Sequence, residues 1–157
     1  MHENPERTTP IGLARYAHEF YGAAKAVEVQ SATENPRKLI PSIPSLYLIG
    51  HSIELGLKSY LLNKGVQLRE LRSKKYGHDL HACHRKAKEL GLLSHVKFKP
   101  EEEGAMELLN QLYSTKQLEY IVTGAKALPI FEQVESFART LINGVSIQVG
   151  YKALCGE

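Results

Sequence analysis

Residues 45–62, Ser-Leu-Tyr-Leu-Ile-Gly-His-Ser-Ile-Glu-Leu-Gly-Leu-Lys-Ser-Tyr-Leu-Leu, are apolar at nearly every position and carry His51, Glu54 and Lys58 as their only strongly polar side chains. Such a run predicts a helix from about residue 45 to 63, with Gly65 as the glycine that ends it. A helix apolar on almost every side belongs at the centre of a core. A membrane span needs about 20 apolar residues with few or no charges. No run here meets that, so a membrane partner is not expected. Ser52, Gly56 and Ser59 recur at i, i+4 and i+7. Gly50 and Gly56 each cost about 1 kcal/mol of helix stability against alanine, which predicts another helix approaching closely.

The flanking patterns are also helical. Thr9-Pro10 is an N-cap followed by proline at the first helical position. Leu13, Ala17, Phe20, Ala24 and Val27 then repeat at helical spacing, predicting a helix to about Gln30. Residues 35–44 contain three prolines and predict a broken surface connection with Leu39, Ile40 and Ile43 tucked beneath it. A basic linker fills 66–77. Gly77 then predicts a turn, and His78 or Asp79 a cap for a third helix ending at Leu90-Gly91. Asp79 is the only aspartate in the chain, and a carboxylate there meets orphan N–H groups and the positive end of the dipole. Pro100 and the three glutamates after it open a fourth helix through Met106, Leu109, Leu112 and Tyr113. Residues 118–129, β-branched and aromatic around Thr123-Gly124, predict a short hairpin or extended excursion. Pro129 opens a last helix through Phe131, Val134, Phe137 and Leu141, closed at Asn143-Gly144. Residues 145–149 alternate and predict an extended C-terminal arm over 145–157, as residues 1–8 predict a frayed tail. The expected fold is one all-α domain over 1–157, an up-and-down helical bundle of about five helices with a hairpin-like excursion before the last.

The balance of 43% hydrophobic and 24% charged residues is that of an ordinary globular chain. The N-terminus shows no apolar signal region, and Cys83 and Cys155 are too few for a disulfide scaffold, so a cytoplasmic setting is expected. Charge is unevenly spread. Residues 58–88 hold nine Lys and Arg against Glu70 and Asp79, a net +7, so the remainder of a +3 chain carries −4. A basic stretch of this kind suits an anionic partner such as RNA or a nucleotide, or else is a solvated helix face.

Ile53-Glu54-Leu55-Gly56-Leu57-Lys58, followed about twenty residues later by Gly77-His78-Asp79-Leu80, resembles HEPN domains, the prokaryotic and eukaryotic nucleotide-binding family. The long first helix and the closing helix after Leu128-Pro129 are similar to that family too, so the resemblance covers roughly residues 11–143. It implies a helical bundle, often a homodimer, in some members with a cognate protein partner in a defence or toxin–antitoxin system. Some members are metal-independent ribonucleases and others are non-catalytic. Catalytic members carry an Arg a few residues ahead of a His near the start of a late core helix. Here the late helix holds Arg139 with no histidine after it, and the Arg-to-His pair of suitable gap is Arg72 and His78, in the linker.

Three chemical readings follow. His51, Glu54 and Lys58 at i, i+3 and i+7 form either a pocket-lining stripe or a buried polar network in which Glu54 pairs with Lys58. His78 is the best acid–base candidate, with Arg72 to stabilise a phosphate; the simpler reading is that His78 and Asp79 fix the turn and cap the helix, which explains both without chemistry. His78, His81 and His84 do not share one helix face, so no metal and no cofactor is expected, and Cys83 reads as a packing residue. A ligand is expected to meet His51, Glu54, Lys58, Lys74, Lys75, Asp79, His81 and Arg85. The leading expectation is a non-catalytic module binding RNA, a nucleotide or a protein partner. The alternatives are a metal-independent endoribonuclease using Arg72 and His78, and a purely structural interaction subunit.

Overall fold

The structure is a computed structural model that describes residues 7–120, 123–124 and 126–152. Among these there are helices and turns and no strands. The helices are α1 (Pro10–Glu34), α2 (Ile43–Asn63), a single turn α3 (Leu68–Leu71), α4 (Leu80–Glu89), α5 (Pro100–Tyr113) and α6 (Phe131–Val149), with a 3-10 turn at Leu92–Ser94. The all-α bundle expected from the periodicity is what forms. None of the described helices is long and apolar enough to cross a membrane.

Local signals set the helix starts. Thr9 Oγ1 accepts from Gly12 N at 3.0 Å ahead of Pro10, and Ser42 Oγ accepts from Ser45 N at 3.2 Å at the head of α2. At α5 the Glu102 carboxylate accepts from Lys99 N at 2.7 Å, closing the first turn, and also accepts from the Ser136 hydroxyl of α6. Gly65, at φ +96°, follows α2 in the left-handed conformation that glycine adopts without strain.

α2 is the central element, packed against α1, α4, α5 and α6. Leu46, Ile49, Ile53, Leu57, Tyr60 and Leu61 are all inaccessible to solvent. α1 runs antiparallel to it, since Ser59 Oγ near the end of α2 donates to Pro10 O at the start of α1, at 2.6 Å. The two helical glycines mark close approaches, as expected. A Cβ on Gly50 would lie 2.7 Å from the Tyr113 ring of α5, and one on Gly56 would lie 3.3 Å from Ile142 of α6.

Three expectations need correction. α6 does not stop at Asn143-Gly144, and 145–149 is no extended arm. Leu141, Ile142, Val145 and Ser146 continue the buried helical stripe, and the stop is Gly150 at φ +86°. Gly144 is a packing residue, because a Cβ there would clash with Val96 Cγ1. Leu39, Ile40 and Ile43 are not tucked under: they are 98%, 61% and 37% exposed. Glu28 explains this. It binds Lys38 Nζ at 2.9 Å and Ser42 N at 3.1 Å, holding the connection by its polar groups with the apolar side chains outward. The basic linker contains the helical turn α3. The described residues of 118–129 are turns and irregular backbone with no strand, so an excursion precedes α6, while Ile121, Val122 and Ala125 of that segment lie outside the described residues, as do residues 1–6 of the expected tail and 153–157 of the expected arm.

Gly144→Ala tests the corrected end of α6. Alanine gains about 1 kcal/mol in helix propensity, but overpacking against the buried, β-branched Val96 costs about 1–3 kcal/mol. Urea denaturation should show a net loss; a net gain would mean that Val96 yields freely.

Candidate functional site

Glu54 turns into the protein from the middle of α2 and is 3% exposed. Its carboxylate is fully engaged. Lys58 Nζ, one turn on, donates to Oε2 at 2.6 Å. The Tyr113 hydroxyl of α5 donates to Oε1 at 2.6 Å. The backbone N–H of His78 donates to Oε2 at 3.1 Å, and His78 Nδ1 lies 3.1 Å from Oε1. Burial by itself would push this carboxyl up. The Lys58 charge and hydrogen bond, the Tyr113 hydroxyl and the His78 charge outweigh it and hold the group below the usual carboxylate value. Glu54 is therefore an anion that joins α2, α5 and the turn before α4.

That turn explains the Gly77-His78-Asp79-Leu80 block. His78 sits at φ 55°, a left-handed conformation that directs its N–H to Glu54. Asp79 Oδ1 accepts from Ala82 N at 3.1 Å and caps α4. The same oxygen accepts from Asn110 Nδ2 at 3.1 Å, and Asn110 Oδ1 accepts from Leu80 N at 2.8 Å. The block thus locks the start of α4 to α5. The antiparallel seam continues with His81 Nδ1 at 2.6 Å from Glu107 and His84 Nε2 at 3.2 Å from Glu103.

The three histidines diverge. His78 contacts Glu54 and the edge of Tyr113, His81 is exposed beside Glu107, and His84 is 2% exposed between the rings of Phe98 and Phe137. Among the described residues no group of three His, Cys, Asp or Glu side chains could hold a metal ion. Burial pushes the Cys83 thiol up to about 12, so it is no nucleophile at neutral pH.

His51 is drawn into the same cluster. Its Nδ1 lies 3.3 Å from the Tyr113 hydroxyl and 3.9 Å from Glu54 Oε1. Phe20 meets its ring edge-on at 4.5 Å, and Tyr47 lies parallel to it at 6.4 Å. Burial lowers the His51 pKa despite the opposing pull of Glu54. The side chains of His51 and His78 keep 27% and 48% of their surface exposed. Neither Nε2 has a partner among the described residues. The cluster thus presents two imidazoles to solvent, each held through Nδ1 on one carboxylate–phenol pair.

The sequence-predicted Lys74, Lys75, Arg85 and Arg72 make none of the hydrogen bonds to Glu54. Arg69, Lys74, Lys75 and Arg85 are exposed and free of ion pairs among the described residues. Arg72 lines a groove with Arg7, Thr9, Gly12 and Tyr16 at the start of α1. Arg139 pairs with Glu135 at 2.9 Å. Tyr113 and Asn110 were not foreseen as site residues. The available signals were Gly50, which predicted a close neighbour, and a lone asparagine within the apolar stripe of α5.

His84 provides a test of burial. Its Nδ1 is buried without a hydrogen-bond partner, and burial lowers its pKa despite the hydrogen bond to Glu103. Above the unfolded value of about 6.5 the ring is neutral in both states. As pH falls below that value the unfolded chain takes up a proton that the folded chain resists. Stability should fall until the depressed folded pKa is reached. Urea unfolding at pH 7.5 and 5.5 should show a smaller drop in His84→Gln than in wild type; equal drops would put the titrating group elsewhere. No protein-family model, curated protein or solved structure matches this chain.

Proposed function

We propose that this chain is a HEPN-like helical module that binds single-stranded RNA across the His51–His78 surface and the basic segment beside it. One observation carries the reading. Of the nine cations between residues 58 and 88, Lys58 alone is directed to the buried Glu54, whereas Arg69, Lys74, Lys75 and Arg85 remain exposed and unpaired among the described residues. Unpaired cations beside anchored imidazoles and the partly exposed Tyr47 and Phe20 rings suit a chain of phosphates carrying stackable bases. Glu54, Lys58 and Asp79 then act as the frame rather than as ligand contacts. In this reading the module works in the cytoplasm, within a defence or toxin–antitoxin pair.

Fluorescence anisotropy with a labelled single-stranded oligoribonucleotide tests it. Four phosphate contacts give a slope of log affinity against log salt of about −3 for single strands. Absence of binding at 50 mM salt, or binding indifferent to salt, would sink the reading and favour a pure protein-interaction subunit.

A second reading, metal-independent ribonuclease, is favoured by the two free Nε2 atoms of His51 and His78. One imidazole would take the proton of the 2′-hydroxyl as it attacks the adjacent phosphorus. The other would protonate the departing 5′-oxygen. This version assigns no step to Arg72. Cleavage of RNA in EDTA that survives in Arg72→Ala and is lost in both His51→Ala and His78→Ala would establish it; no cleavage leaves a binding module.

A further inference from the structure

The face of α4 opposite its seam with α5 borders a groove of about 230 Å³ lined by Lys75, Tyr76, Ala82, Arg85, Lys86 and Glu89. Ala82, Arg85, Lys86 and Glu89 stand at i, i+3, i+4 and i+7, one stripe of the helix. Lys75 comes from the turn that also presents His78, so the groove begins three residues from that imidazole. Its charge is only partly compensated. Lys86 lies 3.5 Å from Glu89, while Lys75 and Arg85 have no acidic partner among the described residues. Lys75 is also positioned: its ammonium lies 5.1 Å from the centroid of the Tyr76 ring, which is 1% exposed and therefore a fixed floor. Arg85 supplies a planar fork suited to two phosphate oxygens, and Lys75 a point charge.

We propose that this groove is a phosphate subsite that holds the RNA backbone as it leaves the His51–His78 surface. The inference rests on the RNA-binding reading above and adds a place to it. The strand passes His78, then meets Lys75 and Arg85 together, and continues along α4 by way of Lys86. Along the chain Lys75 and Tyr76 of the groove precede Gly77, and His78 follows it. A bound strand therefore spans the turn, and a mononucleotide, too short to do so, engages one half alone.

The test compares wild type, Lys75→Ala/Arg85→Ala, and Arg37→Ala/Lys97→Ala as a control that removes the same charge from exposed residues elsewhere. Each is titrated with a labelled single-stranded 12-mer RNA at several salt concentrations, with unlabelled oligomer, ATP and inorganic phosphate as competitors. Circular dichroism melting checks the fold. The groove pair should weaken RNA binding about tenfold or more and flatten the salt slope by about 1.4, the value for two lost single-strand contacts. The control should do neither. Unlabelled oligomer should compete far better than ATP or phosphate. Equal weakening by both double variants would overturn the subsite and leave only a general charge effect. ATP competing as well as the oligomer would replace the strand with a mononucleotide. No RNA binding by wild type would overturn the RNA reading itself, a failure distinct from either.

Discussion

Glu54→Ala should lower stability by about 3–5 kcal/mol, the usual result of removing one partner of a buried ion pair. In a chain of this size that corresponds to a melting point lower by about 10 °C. The substitution strands Lys58, whose side chain is 14% exposed, and removes the acceptor of both the Tyr113 hydroxyl and the His78 N–H. The loss is therefore that of a joint between three elements rather than of one pair. Glu54→Leu combined with Lys58→Met separates these contributions. It deletes the pair without leaving a lone charge and should recover much of the loss, though not the two orphaned donors. The pH profile is a second check. Glu54 titrates below its usual value when folded, so its contribution is complete above the unfolded carboxylate pKa, near 4.3. It disappears as pH falls through the depressed folded value. A Glu54→Ala protein within about 1 kcal/mol of wild type, below the range for a broken buried pair, would show that the cluster is solvated and does not hold the fold.

Phe137→Ala should cost about 3–5 kcal/mol, as expected for truncating a fully buried aromatic. Phe137 is inaccessible to solvent, stacks on Phe98 with ring centroids 4.3 Å apart and planes at 18°, and meets the His84 ring edge-on. Its removal opens a space against the unpartnered His84 Nδ1. Water entering there would relieve the desolvation that lowers the His84 pKa. The variant should thus combine lower stability at pH 7.5 with a smaller further loss at pH 5.5. Chemical denaturation at the two pH values reads both effects. Undiminished pH dependence would mean that the cavity collapses dry.

Helix existence was legible wherever a cap and an apolar period coincided: Thr9-Pro10, residues 45–63, Asp79 and Pro100 all mark observed elements. The Glu54–Lys58 pair and the Asp79 cap were legible too, because both are interactions within four residues along the chain. Elsewhere local signals misled. Gly144 has the sequence appearance of a helix stop, yet α6 passes through it because Val145 and Ser146 continue the buried stripe, and the glycine is needed because Val96 leaves no room for a Cβ. Leu39 and Ile40 have the composition of buried residues, yet Glu28 of α1 holds their loop by its polar groups. In each case the deciding neighbour is remote in sequence.

The candidate site divides the same way. The amino-acid sequence alone determined an all-helical chain, its central helix with one polar stripe, and a histidine turn flanked by cations, since periodicity, capping and charge act over a few residues. Only the tertiary structure decided that Tyr113 and Asn110 of α5 complete the Glu54 and Asp79 centres. It likewise set Arg72 in a groove with the start of α1, sent His84 into the core, and left His51 and His78 sharing one buried carboxylate. Those outcomes depend on which helix faces meet. That is set by minimising buried, unpaired polar groups across the whole bundle, a condition no short window of sequence contains.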